Sequence, residues 1–374
     1  MDPIPGRLIW SDPRPCNETA VPYPDKIRLE FPALIRFKDH WYCAFREGQI
    51  HHNHPSGIGH LIRSTDGVKW ESVRKFEWDA GDVREPKLSI TPDGNLVVMT
   101  SVYFVSKQPH DDGHFYLIKP SRETYLPTTS EEQFITQQTV TWITTDGEHW
   151  EGPFAPVSAA NVWLWDLVWH NGMGYSVAEW GVGVRGQLYR TRDAKSWQVL
   201  AEDCSPEGKC NEGALAFGHD DRAFCLLRGT SATIAKFGSS VGPYYQKWDW
   251  KTIMVDWQGD GNLKPIHELM RVEMGGPKLM CLSDGRLVGG GRTLPPPRPT
   301  GIWRVDPADP DGREDGRVTL FWFDPDTGVG KRFAEMDGTS YVGMHEHEGE
   351  LWITFCAGDR SGIALARVSI PPKA

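Results

Sequence analysis

The chain has 374 residues, 24% of them charged and 39% hydrophobic, and a formal net charge of −10. No basic tract stands out that could displace counterions from a phosphate backbone, which excludes a general nucleic-acid or anionic-membrane binder. The 39 Gly, 28 Pro and 17 Trp favour many short strands joined by turns over a helical body.

The first predicted element is a lone strand, GRLIWSDP at Gly6 to Pro13. The N-terminal MDPIPGRLIW lacks the basic and apolar regions of a signal peptide, and the chain has no run of about 18 apolar residues. The expectation is a soluble chain, cytoplasmic as written or exported with its leader removed. A hairpin comes next, FPALIRFKDHWYCAFREG from Phe31, followed by a loop, QIHHNHPSG, that carries His51, His52 and His54. The second hairpin is EPKLSITPDGNLVVMTSV from Glu85, and a long polar insertion from Ser106 to Gln138 reads as a loop roofing a cleft. WDLVWHNGMGYSVAEWG from Trp165, EGALAFGHDDRAFCLLRG from Glu212, GPKLMCLSDGRLVGGGRT from Gly276 and SYVGMHEHEGELWITFCAG from Ser340 repeat the same design of apolar strand, polar turn and apolar strand. The proline-rich TLPPPRPT at Thr293 to Thr300 reads as a stiff loop, and GIALARVSI at Gly362 to Ile370 is a last strand.

A second repeat falls between these hairpins: STDGVKW at Ser64 to Trp70, TTDGEHW at Thr144 to Trp150 and TRDAKSW at Thr191 to Trp197. In each, a hydroxyl residue stands two positions before an Asp and a Trp four positions after it. The carboxylate can take backbone N–H groups, the following small residue permits positive φ, and the Trp supplies an apolar face to pack on the sheet. A local unit built three times means a repeat fold. Six hairpins over 374 residues leave about 62 residues per unit, enough for a four-stranded sheet with loops. The expected architecture is all-β: a six-bladed β-propeller of four-stranded antiparallel blades, one domain over 1–374. The first strand is expected to join the last and so remove a free edge.

Seven cysteines at 16, 43, 204, 210, 225, 281 and 356 show no zinc spacing. Cys43, Cys225, Cys281 and Cys356 lie in apolar runs and read as buried small hydrophobes, while Cys204 and Cys210 flank a loop across which they can pair. No metal or cofactor is implied. The three clustered histidines read as a polar loop rather than a metal site, since neighbours in a loop seldom point at one ion.

Aligning the hairpins brings up a polar set. Glu30, Arg84 with Glu85, Asp166, Glu212 and Tyr341 fall at or near the hairpin starts. Arg46 with Glu47, Glu179, Arg228 and Arg292 fall at the far ends of the second strands. One such residue alone reads as an ion-pair partner. Several at equivalent ends of different blades converge on one axis, and an unpaired ion buried there is expensive, so together they mark a pocket.

Asp boxes after hairpins around a ring, with AFREG closing the first hairpin, resemble the sialidase superfamily, of which the chain is identified as a divergent member; the likeness covers nearly the whole chain. NEGALAF followed by CLLRG is similar to the segment carrying the glutamate that assists the nucleophile and one arginine of a carboxylate-binding trio, which places those roles on Glu212 and Arg228. SYVGM is similar to the segment of the nucleophilic tyrosine, which places it on Tyr341, and GGGRT offers Arg292. Two departures separate the chain from a strict sialidase. The family's Arg-Ile-Pro reads Glu30-Phe31-Pro32, with an R-x-P at Arg84 to Pro86 instead. The loop that should carry the acid aspartate contains His51, His52 and His54 and no Asp.

Three functions follow. The first is an exo-acting glycoside hydrolase for a carboxylated sugar: Tyr341 and Glu212 as nucleophile pair, Arg84, Arg228 and Arg292 on the carboxylate, a loop histidine or Glu47 as proton donor, and Trp163, Trp165 and Trp180 stacking on sugar faces. An inverting variant would use Asp166, Glu85 or Glu212 as base. The second is a lyase acting on uronic acids, and the third a propeller that binds glycans or proteins without turnover. Arg46, Glu85 and Glu179 complete the expected substrate-binding set; the expected partner is a carbohydrate, with no nucleic acid and no membrane.

Overall fold

The computed structural model describes residues 2–11, 27–49, 54–79, 81–106, 137–180, 185–202, 210–233, 247–257, 263–270, 274–293, 316–358 and 360–373. Apart from one 3-10 turn at Val157–Ala159, the regular elements among them are β-strands. The first is β1 (Arg7–Ser11). A four-stranded sheet follows: β2 (Arg28–Phe37), β3 (His40–Gly48), β4 (Ile58–Ser64) and β5 (Glu71–Phe76). The next is β6 (Gly81–Ile90), β7 (Leu96–Phe104), β8 (Gln137–Thr144) and β9 (Glu151–Phe154). In the third, β10 (Val162–Leu164) and β11 (Val168–His170) both pair with β12 (Met173–Trp180), which continues to β13 (Arg185–Thr191) and β14 (Gln198–Ala201). The fourth is β15 (Cys210–Phe217), β16 (Ala223–Thr233), β17 (Lys247–Trp257) and β18 (Leu263–Met270).

The remaining strands form one seven-stranded sheet: β19 (Met274–Cys281), β20 (Leu287–Thr293), β21 (Arg317–Phe323), β22 (Gly330–His347), β23 (Glu350–Cys356) and β24 (Gly362–Ser369), with β1 on its edge. Hydrogen bonding therefore yields five sheets, because β22 serves two neighbours. Its first half, Gly330 to Thr339, pairs with β21, and its second, Thr339 to His347, with β23. β1 pairs antiparallel with β24, Arg7 opposite Leu365, as the sequence led one to expect.

The first strands form a ring. β2 packs on β6 and on β22, β10 on β7 and β8, β12 on β15, and β19 on both β15 and β22. The molecule is an all-β propeller. Its sheets stack face to face, so inner strands such as β3, β7 and β8 are buried on both faces and read as near-continuous apolar or small-residue runs, while the outermost β5, β9 and β14 are largely exposed. In β3, Tyr42 and Ala44 pack toward Val83, Val98 and Val140, whereas Trp41, Cys43 and Phe45 pack toward Trp352, Ile363 and Leu365. Cys43, Cys225 and Cys356 are buried free thiols, the role expected of them, while Cys281 is half-buried.

The three repeated turns share one geometry. Asp66 Oδ1 accepts from the N–H groups of Val68 and Lys69 at 2.8 and 2.9 Å, and Ser64 Oγ from that of Gly67 at 2.8 Å. Asp146 repeats this with Glu148 and His149, both at 2.8 Å, and Asp193 with Lys195 and Ser196 at 2.8 and 2.9 Å. The residue after each Asp has positive φ: Gly67 at 71°, Gly147 at 87° and Ala194 at 57°. These turns end β4, β8 and β13. A third strand runs parallel to the first, so the turns lie at the end of the sheets opposite to where the first strands begin. Most of the Ser106 to Gln138 insertion, the TLPPPRPT loop, Cys16 and Cys204 lie outside the described residues.

Candidate active site

Four strands, β2, β6, β19 and β22, each contain a residue in the left-handed region. Phe31 (φ 60°) precedes Pro32, Glu85 (50°) precedes Pro86, Gly276 (60°) precedes Pro277, and Ser340 (71°) precedes Tyr341. At each, the pairing with the second strand slips: between Glu30 and Ala33, Arg84 and Lys87, Gly275 and Lys278, and Thr339 and Gly343. An L-residue in this conformation costs about 1–2 kcal/mol. Bulges of this kind re-aim side chains, and strain of this kind gathers at functional sites. Here they interrupt the pairing of the strands just where the polar residues stand.

Tyr341 and Glu212 form the centre. The Tyr341 hydroxyl donates to Glu212 Oε1 at 2.7 Å, Arg228 Nη1 donates to the same oxygen at 2.8 Å, and the Gly276 N–H donates to Oε2 at 2.7 Å. Only glycine fits at 276, because a Cβ there would lie 1.9 Å from Tyr341 Cγ. Burial, then the charges of Glu212 and Glu85, hold the Tyr341 hydroxyl well above its ordinary pKa. Guanidinium and ammonium groups lie over the aromatic rings around it. Arg292 sits 5.5 Å from the Tyr341 ring centre, Lys87 4.2 Å from Trp165 and 5.7 Å from Tyr341, and Arg84 between 5.4 and 5.6 Å from Phe31, Tyr103 and Trp163. Phe31, Trp163, Trp165 and Tyr341 make one buried cluster.

Glu85 stands between Arg84 and Lys87, each 3.8 Å from one of its oxygens. Burial pushes its carboxyl up to about 8, and burial lowers the Lys87 ammonium beside it. Beyond them, Asp166 Oδ2 accepts from Lys278 Nζ at 2.7 Å. These two line a small cavity with Lys87, Trp165, Pro32, Pro277 and Gly343, residues contributed by β2, β6, β19, β22 and the β10–β11 connection.

A second ionic network adjoins this one. Arg46, fully buried, holds Asp82 Oδ1 with Nε at 2.9 Å and Nη2 at 2.8 Å, and lies 3.6 Å from Glu30. Arg360 Nη1 donates to Glu30 Oε1 at 2.8 Å. Gly57 faces Asp82, where a Cβ would come within 1.8 Å of its carboxylate.

The structure thus brings together Tyr341, Glu212, Arg228, Arg292, Arg84, Glu85 and Trp165, with Asp166 on the small cavity beside them. Arg46 is engaged by Asp82 and Glu30, so its expected contact with substrate gives way to an ion-pair role. Glu47 is not in the cluster. Being next to Arg46 on a strand, it points to the opposite face, where its carboxylate meets His60 Nδ1 at 3.0 Å and His60 Nε2 meets Ser72 at 2.8 Å. That removes Glu47 as a proton donor to the site. His54 is half-buried; its ring contacts Ser56 at 2.7 Å, and its N–H reaches Asp82 at 3.4 Å. His51, His52 and the side chains of Glu179 and Trp180 lie outside the described residues, and among those described no group of His, Cys, Asp and Glu could hold a metal ion.

Sequence reasoning missed Lys87, Lys278, Asp82, Arg360 and Tyr103. For the two lysines the signal was present: EPKL and GPKL stand at equivalent hairpin positions, each with a lysine in an otherwise apolar strand.

No protein-family model matches the chain, and no curated protein matches its sequence. Solved structures do match. An alpha-L-arabinanase of Penicillium chrysogenum, complexed with arabinobiose, superposes with a TM-score of 0.61 at 12% identity, covering 97% of both chains. An alpha-L-arabinofuranosidase of Fusarium graminearum, also with arabinobiose, gives 0.62 at 13% identity over 97% of this chain and 96% of that one. The intramolecular trans-sialidase of Ruminococcus gnavus gives 0.57 at 11%, covering 93% and 95%. The chain shares the fold of these propeller glycosidases.

Proposed function

We propose that the protein is a retaining, exo-acting glycoside hydrolase for an acidic sugar, built on six blades over 1–374. The blade count divides the seven-stranded sheet at Thr339, where β22 changes partner, into β19-β20-β21-β22 and β22-β23-β24-β1. The observation that carries the function is the 2.7 Å hydrogen bond from Tyr341 to Glu212, with Arg228 on the same oxygen. Glu212 takes the phenolic proton as the Tyr341 oxygen attacks the anomeric carbon. The resulting glycosyl–tyrosine is then hydrolysed by water. A neutral nucleophile suits an anionic substrate, which would repel a carboxylate. Arg84, Arg228 and Arg292, all buried, supply planar donors for the substrate carboxylate. Trp165 and Trp163 offer apolar faces to the ring.

A second reading, hydrolysis of a neutral pentoside, is favoured by the likeness to the Penicillium and Fusarium proteins, both bound to arabinobiose. A panel of acidic and neutral aryl glycosides and uronate polymers separates these. Release from acidic glycosides alone supports the first reading, and release from arabinosides alone the second. An ultraviolet-absorbing unsaturated product would indicate a lyase, and no turnover of any substrate a binding propeller.

A further inference from the structure

The proposed reaction needs a group to protonate the departing oxygen. Glu47 is turned away to His60, the His54 ring lies against Ser56, and the loop has no aspartate. Asp166 is held by Lys278 and Glu212 by Tyr341, Arg228 and the Gly276 N–H, so among the described residues the carboxyl near Tyr341 with an unengaged oxygen is Glu85. It is 2% exposed, and its Oε2 has no hydrogen-bond partner among the described residues. The cations next to it stand at 3.8 Å, beyond hydrogen-bonding distance. Lys87, 3.8 Å from Glu85 Oε2, also lies 5.7 Å from the Tyr341 ring centre, so the carboxyl and the tyrosine flank one ammonium. Glu85 has a left-handed φ of 50° at the register slip between Arg84 and Lys87, and its carboxyl lies near enough to Glu212 on β15 and Glu30 on β2 to feel their charge.

We infer that Glu85 is the general acid of this site, donating its carboxyl proton to the leaving-group oxygen and recovering one from the water that releases the sugar. The inference rests on the glycosidase reading above. In the first half-reaction the bond from the anomeric carbon to the leaving oxygen breaks, that oxygen takes the Glu85 proton, and the Tyr341 oxygen bonds to carbon as its own proton passes to Glu212. In the second, Glu85 carboxylate removes a proton from water, the water oxygen bonds to carbon, and Tyr341 leaves and regains its proton from Glu212. Each group ends as it began. The groups facing Glu85 fit the role: Glu212 on β15 and Glu30 on β2 add negative charge that keeps it protonated, while Arg84 and Lys87 on its own strand oppose them. Burial is the largest influence and favours the neutral acid.

The experiment compares leaving groups. Glu85→Gln should lower kcat/KM for an alkyl glycoside by about 10²–10⁴-fold. For a dinitrophenyl glycoside, whose phenolate departs without a proton, the loss should be at least about tenfold smaller, and added azide should restore turnover by replacing the water that Glu85 activates. Wild-type protein gives a reading that does not depend on how the variant folds: with the alkyl substrate kcat/KM should fall as pH rises through the Glu85 titration, with a weaker fall for the dinitrophenyl substrate. Thermal melts add a third. A carboxyl whose pKa is raised on folding destabilises the protein as pH climbs from its unfolded value toward the raised one, so Glu85→Gln should melt with the wild type near pH 4 and above it near pH 8. Equal losses for both leaving groups, or identical alkaline limbs, overturn the assignment while leaving the glycosidase reading intact. Failure of the wild type to cleave any glycoside overturns both.

Discussion

Tyr341 and Glu212 are 129 positions apart in the chain and meet at 2.7 Å, so the pair exists only in the folded ring. Burial keeps the phenol protonated, as the proposed reaction requires before Glu212 takes its proton, and Gly276 clears space for the ring. Tyr341→Phe and Glu212→Gln should each lower kcat by about 10²–10⁴-fold without loss of folding, and the double variant should fall no further than the worse single one. Steady-state kinetics on the substrate identified by the panel, with circular dichroism for folding, checks both. Unchanged turnover in the single variants would remove the pair from the mechanism. Gly276→Ala places a Cβ against the ring in a left-handed conformation; a loss of about 2 kcal/mol or more in urea unfolding, together with loss of activity, is expected.

Among the elements, the Asp turns and the bulges divide the labour. The turns lie at the opposite end of the sheets from the site and hold third strand to fourth. Asp66, Asp146 and Asp193 have lowered pKa values: backbone N–H groups, headed by Lys69 and His149, hold the first two down, and in Asp193 such bonds outweigh burial. A carboxylate with a lowered folded pKa stabilises above its unfolded value, near 4, and loses that contribution as pH falls below it. Asp146→Asn should therefore melt below the wild type at pH 7, the gap closing as pH drops under about 4; a constant gap would show that the charge is not what matters. The turns were legible in the sequence because a seven-residue pattern repeats. The bulges were not, because φ at Phe31, Glu85 and Ser340 depends on what each strand meets at the axis, and neither Phe nor Glu favours that conformation by itself. For the same reason Glu30, Glu212 and Tyr341 could be picked out as polar residues in apolar strands, while the partners Asp82, in a different sheet from Arg46, and Arg360, in the β23–β24 connection, could not.

In the whole molecule, the hairpins, the repeat and the joining of β1 to β24 follow from pattern, whereas the merging of strands through β22 does not, since the break at Thr339 is a change of partner within a continuous strand. Closure by β1 is carried by Ile9, buried among Leu34, Phe45, Trp352 and Ile363. Ile9→Ala should cost about 2–3 kcal/mol by urea unfolding; an unchanged midpoint would mean that β1 only lies against the ring. The ring in turn places Tyr341, Glu212 and Glu85, from three different sheets, around one axis. The most direct measurement is mass analysis of the protein after reaction with a fluorinated glycosyl fluoride of the sugar that the panel identifies. The account predicts one covalently bound sugar on the peptide containing Tyr341, absent in Tyr341→Phe; a label on another residue, or none while turnover proceeds, would contradict it.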